Sequence, residues 1–257
     1  MQHDIRARAA PASGGFPLTR LSVVAATGHD DPVLRRDAWD ALIRSYWKPV
    51  YKYIRIRWQV EPDGAADLTQ AFFTDAMDAG FFGRFDPARA RFRTYLRVCL
   101  HGFVANARKA AARQKRGGGY RHLSLDFASA EVELHQVPAS AESDPEQYFR
   151  TESIRSLLGL AVGALRDDCR KRGRDTHLAL FERYDLAETG AGPRPTYQQL
   201  ADSLGLTVPQ VTNQLAVVRR EFRRMLLDQL RAISGSEGEY RAEAIELLGV
   251  DPDDVAL

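Results

Sequence analysis

Residues 197–215 read YQQLADSLGLTVPQVTNQL, and their pattern predicts two short helices joined by a tight turn. Leu200 and Ala201 belong to one short apolar face, and Gly205 after them permits a sharp change of direction. Thr207 is a good N-cap for the helix that follows. Because the side chain at 201 is small and residue 205 is a glycine, the two helices can cross closely. This pattern is typical of a helix-turn-helix.

The second of these helices, predicted over 208–230, carries polar side chains near its N-terminus. In a helix-turn-helix this part of the helix enters the major groove of DNA. The candidate base-reading side chains are Gln210, Thr212, Asn213 and Gln214. The arginines further along, which are suited to phosphates, are Arg219, Arg220, Arg223 and Arg224. The alternative is a tight helical hairpin whose basic face is only solvated.

Three further helices are predicted in the first half of the chain. Apolar residues at steps of three and four over 39–58 indicate an amphipathic helix, in which Pro49 predicts a kink or two abutting helices. Residues 61–64 predict a turn, and Asp67 predicts the cap of a second helix. The third helix has the clearest apolar stripe, over 92–107.

The chain of 257 residues is long enough for two small domains. Three glycines at 117–119 end the third helix, and 123–127 alternate like a short strand within a polar segment. We therefore predict an all-α fold of two small helical domains joined by a flexible linker, the second containing the helix-turn-helix. The predicted boundaries are an N-terminal extension at 1–35, a first domain at 36–116, the linker at 117–147, a second domain at 148–232 and an acidic C-terminal tail at 233–257.

Charge is distributed unevenly along the chain, although the formal net charge is only +2. Residues 84–116 contain many basic residues and the single acidic residue Asp86, and aromatic residues lie among the basic ones. Rings that stack on bases and cations that hold the backbone suit melted nucleic acid, whereas the alternative is a solvated basic helix. The candidate residues are Phe85, Arg91, Arg93, Tyr95, Arg97, Arg108, Lys109 and Arg113.

Signals of catalysis and of metal binding are missing from the sequence. The six histidines are scattered, and Cys99 and Cys169 form no CxxC pair, which fits a reducing cytosol. The motifs GxSxG, Walker A and HExxH are absent. No signal peptide and no apolar run of roughly 18 residues occurs. We therefore expect a soluble cytoplasmic protein that is not an enzyme, has no cofactor or metal and does not insert into a membrane.

Several short motifs follow one another in a fixed order. They are SYWKPVYKYIR at 45–55, DLTQAFF at 67–73, GRFDP at 83–87, RFRTYL at 91–96 and KRGGG at 115–119, followed by the helix-turn-helix. With this order the chain resembles an extracytoplasmic-function (ECF) sigma factor of the sigma-70 family. The resemblance covers most of residues 39–225. Each motif is weak alone, but the ordered set is specific.

The resemblance implies a role in transcription initiation with core RNA polymerase and promoter DNA as partners. The helix that begins near Asp67 would dock on the clamp coiled coil of the polymerase. The loop 85–93 and the helix after it would open and read the −10 element, and the helix over 209–224 would read the −35 element. The residues implied in docking are Asp67, Leu68, Gln70 and Phe73.

Regulation is left open by the sequence. Relatives usually carry an acidic residue where Ala66 stands, and phosphorylation of Thr69 would restore negative charge, although Thr69 also suits an ordinary first turn of a helix. An anti-sigma factor and a Ser/Thr kinase are therefore further candidate partners. The tail from Ser236 predicts a short amphipathic helix, and the sequence alone does not decide whether it folds back on the basic surfaces.

Two other classes of protein compete with the sigma factor. A helix-turn-helix repressor or activator that acts without polymerase would explain residues 196–224 but not the earlier helices. A helical adaptor would explain Phe81, Phe82 and the acidic tail as surfaces that bind another protein.

Overall fold

All regular secondary structure in the described part of the chain is helical. The computed structural model describes residues 23–111, 123–135, 144–187 and 194–252, and no strand occurs among them. The helices are α1 (Val23–Ala26), α2 (Pro32–Trp58), α3 (Pro62–Ala79), α4 (Phe92–Ala111), α5 (Phe127–His135), α6 (Pro145–Lys171), α7 (Asp175–Tyr184), α8 (Tyr197–Leu204), α9 (Val208–Ile233) and α10 (Glu237–Glu243). A 3₁₀ turn (Phe81–Arg84) and a π-helical turn (Ala244–Leu248) complete them. The all-α prediction is confirmed, while most of the predicted N-terminal extension and parts of the predicted linker lie outside the described residues.

Helix α2 is one continuous helix that includes Pro49. It begins at Pro32, because the carboxylate of Asp31 accepts a hydrogen bond from the backbone of the first turn. A proline has no N–H, so the carbonyl of Ser45 loses its helical donor. The hydroxyl of Ser156 on α6 donates to that carbonyl at 2.8 Å. The structure therefore has one helix where two abutting helices were a possibility, and a neighbouring helix supplies the missing hydrogen bond.

Helix α3 begins earlier than the sequence predicts. It starts at Pro62 with Glu61 as the N-cap residue, so the turn predicted at 61–64 is wrong. Proline fits the first turn of a helix because its missing N–H would have no helical acceptor there. Asp67 lies inside the helix, and its prediction as a cap is also wrong. The helix ends at Gly80, whose φ of 62° is the left-handed conformation that glycine adopts readily.

A first hydrophobic core lies between α2, α3 and α4. On α4 the fully buried residues recur at steps of four, as expected for one face of a helix. The phenylalanines Phe82 and Phe92 meet in this core with ring centroids 5.2 Å apart. The buried residues of α4 are Phe92, Leu96, Leu100 and Val104. The arginines of α4 therefore lie off the buried stripe, as the apolar pattern predicts.

The predicted linker contains a helix in its described part. The strand-like alternation at 123–127 corresponds to no strand, because the chain is irregular up to Asp126 and then forms α5. The carboxylate of Asp126 accepts a hydrogen bond from the first turn of α5 and caps it. The ring of Phe127 packs against Trp47 and Tyr51 of α2, with centroids 5.5 and 4.9 Å away. This part of the linker is thus attached to the first core.

The acidic residues of α5 pair with basic residues of α2. Glu133 lies 2.6 Å from Lys48 Nζ and 2.7 Å from Lys52 Nζ. Glu131 lies 2.7 Å from Arg55 Nε, and the hydrogen bond from Arg55 lowers the pKa of the Glu131 carboxyl. These ion pairs add to the aromatic contact and hold α5 along α2.

Helix α6 contributes to every hydrophobic cluster in the described part of the chain. Phe149 near its start packs in the first core, and Leu157 and Ala161 form a second cluster with α9 and α10. Leu165 and Cys169 near its end belong to a third cluster. The domain boundary predicted between residues 147 and 148 therefore falls inside α6, whose first turns pack on the first core.

A buried ion pair joins α2 to α6. Lys52 Nζ lies 2.5 Å from a carboxylate oxygen of Glu152, and the two side chains are only 1% and 2% exposed. Glu152 also lies 3.3 Å from Arg155, and Lys52 also pairs with Glu133. Removing one member would leave the other buried charge with a single remaining partner, which is unfavourable. The pair therefore ties the two halves of the chain together in this structure.

Helices α7, α8 and α9 share the third cluster. Thr196 is the N-cap of α8, and Thr207 is the N-cap of α9. The side-chain oxygens of Gln199 and Gln210 accept hydrogen bonds from the backbone N–H groups of these two caps. Gly205 has a φ of 64°, which allows the turn between the two helices. The residues buried between these helices are Leu180, Phe181, Leu200, Ala201, Val211, Leu215 and Val218. The helix bounds and the turn agree with those predicted for the segment.

Candidate nucleic-acid interface

The first turns of α9 present polar side chains to solvent. Thr212 and Asn213 are exposed, whereas Val211 and Leu215 on the opposite side are fully buried. The predicted phosphate-binding residues on this side of the helix, Arg220 and Arg223, are exposed as well. Residue 220 lies two turns after residue 213, so one face carries an amide first and arginines later.

The predicted base-reading residues differ in their contacts within the protein. The Oε1 of Gln210 accepts hydrogen bonds from the backbone N and the hydroxyl of Thr207, at 2.8 and 3.0 Å. The Oε1 of Gln214 is buried and has no hydrogen-bond partner among the described residues. The hydroxyl of Thr212 donates to the carbonyl of Val208 at 3.0 Å. Asn213 is therefore the amide of this predicted set that lies open on the face of α9.

Arg219 is held by the loop after α7. Its Nε and Nη2 donate to the two carboxylate oxygens of Asp185 at 2.8 and 2.9 Å, and its guanidinium lies over the ring of Tyr184. The hydrogen bonds that Arg219 donates to Asp185 raise the pKa of the guanidinium. A bidentate pair of this kind is among the stronger ionic contacts in proteins. Arg219 is thus tied to the loop after α7 by an ion pair within the chain.

The aromatic residues predicted to meet the −10 element pack on one another. The ring of Phe85 lies 5.3 Å from that of Phe92 and 5.4 Å from that of Tyr95. The hydroxyl of Tyr95 donates to the carbonyl of Phe81 at 2.7 Å, and burial raises the pKa of Tyr95 to about 12. Tyr95 is therefore a neutral donor, and both Phe85 and Tyr95 are partly exposed.

Arg91 and Arg93 pair with acidic residues of the C-terminal tail. Nη2 of Arg93 lies 3.1 Å from Glu243 Oε1, and Nη1 of Arg91 lies 3.5 Å from the same oxygen. Arg91 also contacts Glu246, which in turn lies 3.0 Å from Arg150 Nη2 of α6. Burial lowers the pKa of Arg93. The structure thus brings these two predicted DNA-binding residues together with the acidic tail, whose position relative to the basic surfaces the sequence left open.

The remaining basic residues of the predicted −10 surface are further along α4. Arg97 lies 3.7 Å from Glu146, and Arg108 and Lys109 are exposed near the end of the helix. Arg113 lies outside the described residues. Sequence reasoning missed Arg57, which is exposed at the end of α2 and lines one concavity with Trp58 and Arg108. The spacing of residues within α2 gives no signal for this concavity, because Arg57 and Arg108 are about fifty positions apart in the sequence.

The four residues predicted to dock on polymerase differ in exposure. Asp67 is exposed, Leu68 and Gln70 are partly buried, and Phe73 is fully buried in the first core. The Oε1 of Gln70 accepts a hydrogen bond from the backbone N of Leu123 at 3.4 Å, so this part of the predicted linker lies beside α3. Asp67 is the charged member of this set, and its side chain is exposed.

Thr69, the candidate phosphorylation site, is buried within α3. Its exposed fraction is 0%, and its hydroxyl donates to the carbonyl of Ala65 at 2.7 Å. A kinase acts on an accessible hydroxyl, so modification of Thr69 requires local opening of the helix.

No protein-family model, curated protein sequence or solved structure matches the chain at a significant level. In the ranges that the structure describes, no helix has the length and apolar character needed to cross a membrane. The same ranges contain no cluster of three His, Cys, Asp or Glu side chains arranged to hold a metal ion.

Proposed function

We propose that the chain is an RNA polymerase sigma factor of the ECF type, with a core-binding and −10-reading first domain and a −35-reading helix-turn-helix domain. The observation that carries the proposal is the exposed face of α9, where Asn213 is followed by Arg220 and Arg223. An amide near the N-terminus of such a helix can pair with a base edge, and later arginines can reach phosphates. The ordered motifs over 39–225 favour a polymerase subunit over a free-standing regulator.

The first half of the chain supports the same proposal. Asp67 lies on the open side of α3, in a position to meet a partner helix. Tyr95 in the first turn of α4 and Phe85 in the loop before that helix are partly exposed rings. Stacking on such rings stabilises unpaired bases by about 1–3 kcal/mol each, which offsets a cost of a few kcal/mol for unstacking.

The test is promoter-dependent RNA synthesis by the purified chain, bacterial core RNA polymerase and genomic promoter fragments. We expect transcripts that start at a fixed distance downstream of a shared two-part motif. The variant R220A/R223A should weaken promoter binding by the holoenzyme. It should also reduce the slope of log affinity against log salt by about 1 for each phosphate that the variant no longer neutralises. Asn213→Ala should instead relax sequence preference at one −35 position, by about 1–3 kcal/mol.

Matched variants separate these effects from a general loss of charge. R166A/R170A removes two exposed arginines from α6 and should leave promoter binding and its salt slope unchanged. Asp67→Ala should weaken binding to core polymerase, whereas Asp63→Ala in the first turn of the same helix should not.

Other outcomes favour the competing classes. If the chain binds promoter duplex without core polymerase and core does not bind it, the repressor or activator is favoured. If neither DNA nor core binds, the sigma proposal is wrong and a protein adaptor is favoured.

A further inference from the structure

The acidic tail of the chain lies against the residues proposed to contact the −10 element. The tail segment, defined here as residues 234–248, comprises the short connection after α9, helix α10 and the π-helical turn. It meets an aromatic ring, the N-terminus of a helix and two arginines of the proposed −10 surface. Each of these groups is one that a nucleic acid would use.

The aromatic contact is made by Gly235. A Cβ atom added to Gly235 would overlap the ring of Phe85, so the backbone of the tail is in direct contact with that ring. Phe85 is at the same time packed between Phe92 and Tyr95. A base could not stack on the covered side of Phe85 while Gly235 stays in place.

The helix N-terminus is capped by Glu239. Its Oε1 accepts a hydrogen bond from the backbone N of Phe92, the first residue of α4, at 2.5 Å. Its Oε2 accepts from the backbone N of Gly235 at 2.8 Å. A carboxylate is favourable at this position because the N-terminus of a helix carries partial positive charge. A phosphate oxygen is an alternative ligand for the same N–H.

The two arginines are neutralised by the next turns of the tail. Glu243 pairs with both Arg91 and Arg93, and Glu246 pairs with Arg91 and with Arg150. The carboxylates therefore occupy the positions that phosphate groups of a DNA strand would take beside these guanidinium groups.

The tail is held in this position by apolar contacts but is short. Tyr240 and Ala244 are 3% and 0% exposed and pack against Leu157 of α6 and Leu230 of α9. Helix α10 has only seven residues, and a helix of that length has little stability of its own in water. Its position therefore depends on the contacts it makes with the rest of the chain, and competition for those contacts can release it.

We propose that residues 234–248 are an intramolecular competitor of nucleic acid that covers the proposed −10 surface in the free protein and leaves it when DNA binds. This inference rests on the proposed nucleic-acid role of α4. Glu243 is buried beside the two arginines and Glu246 is partly exposed. Because these two carboxylates compete with phosphates, removing their charge should raise affinity for single-stranded DNA by about 5- to 30-fold at low salt.

The experiment measures binding of a fluorescein-labelled single-stranded oligonucleotide to the full chain by fluorescence anisotropy. E243Q/E246Q should bind more tightly than the wild type. The control Glu237→Gln removes a charge of the same helix that pairs with Arg231 instead, and it should bind like the wild type. In the wild type, bound oligonucleotide should increase hydrogen exchange of the backbone amides over 237–248.

Adding R91A/R93A to E243Q/E246Q separates the two possible failures. If this quadruple variant loses affinity but E243Q/E246Q binds no better than Glu237→Gln, the −10 surface is real and the tail does not compete for it. If the oligonucleotide binds equally with and without R91A/R93A, or does not bind at all, the proposed −10 surface itself is wrong.

Discussion

Replacement of Gly235 by alanine tests the contact between the tail and the −10 surface without changing any charge. The added methyl group would overlap the ring of Phe85, which cannot move aside freely because Phe92 and Tyr95 pack on it. Overpacking of this kind costs about 1–3 kcal/mol. If the tail moves instead, Glu239 loses two charge-assisted hydrogen bonds, at about 1.5–3 kcal/mol each. We therefore expect Gly235→Ala to lower the free energy of unfolding by about 1–3 kcal/mol.

Gly238→Ala is the matched control, since a Cβ at that position of α10 meets only the hydroxyl of Ser236, at 4.0 Å. Alanine in a helix is favoured over glycine by about 0.5–1 kcal/mol, so this variant should be as stable as the wild type or more so. Urea unfolding followed by circular dichroism gives both values, and hydrogen exchange shows whether the loss is centred on 235–248. A Gly235→Ala protein as stable as Gly238→Ala would refute the docking of the tail on Phe85.

Three further variants test the contacts between α2 and its neighbours, each by urea unfolding. Ser156→Ala should lower the free energy of unfolding by about 1–3 kcal/mol, because it leaves the carbonyl of Ser45 without a donor. The control is Ser153→Ala, because the hydroxyl of Ser153 bonds to the carbonyl of Phe149 within α6, and it should change the free energy of unfolding by less than about 0.5 kcal/mol. Lys52→Met should lower the free energy of unfolding by up to about 3–5 kcal/mol, because it leaves the buried Glu152 with only Arg155, 3.3 Å away, as an ionic partner. K52M/E152M should recover most of that loss, and equal instability of both variants would contradict the argument. Burial, with Arg57 and Arg97 nearby, lowers the pKa of His101, which shares a 2.7 Å hydrogen bond with Tyr53. The folded protein thus favours neutral His101. The free energy of unfolding should therefore be highest above the ordinary histidine pKa of 6.5 and should decrease as the pH falls below that value. His101→Gln should make this decrease smaller.

Local signals in the sequence predict the helices that have regular patterns. The turn at Gly205, the cap at Thr207 and the apolar stripe of α4 all depend on residues within a few positions of one another. The structure agrees with each of them. Such features follow from backbone preferences and amphipathic spacing, which neighbouring residues alone express.

The start of α3 and the continuity of α2 were harder to predict, for different reasons. Pro62 suits both a turn and the first turn of a helix, and the sequence does not decide between them. Pro49 breaks a helix unless another group satisfies the freed carbonyl, and here that group is the hydroxyl of Ser156, more than a hundred residues away. Whether α2 breaks or continues at Pro49 therefore depends on a tertiary contact that the sequence pattern does not reveal.

In the candidate site, too, the sequence pattern does not reveal which residues form tertiary contacts. Arg219 and Arg220 are adjacent in the sequence and look equivalent, yet Arg219 is bound by Asp185 while Arg220 is exposed. Arg91 and Arg93 face carboxylates of a segment about 150 positions later. The opposite charges of the basic middle and the acidic tail indicated that such a contact was possible, but they did not identify the partners.

Under the proposed function, the two DNA-binding surfaces differ in accessibility in the free protein. The face of α9 with Asn213, Arg220 and Arg223 is exposed, whereas Arg91 and Arg93 are paired with the tail. Duplex contacts through α9 can therefore form first without displacing any part of the chain. Contacts with melted DNA require the tail to leave, and the phosphates of the opened strand supply the competing charge. This order places the cost of releasing the tail at the step where unpaired bases become available, so the free protein would bind single strands weakly.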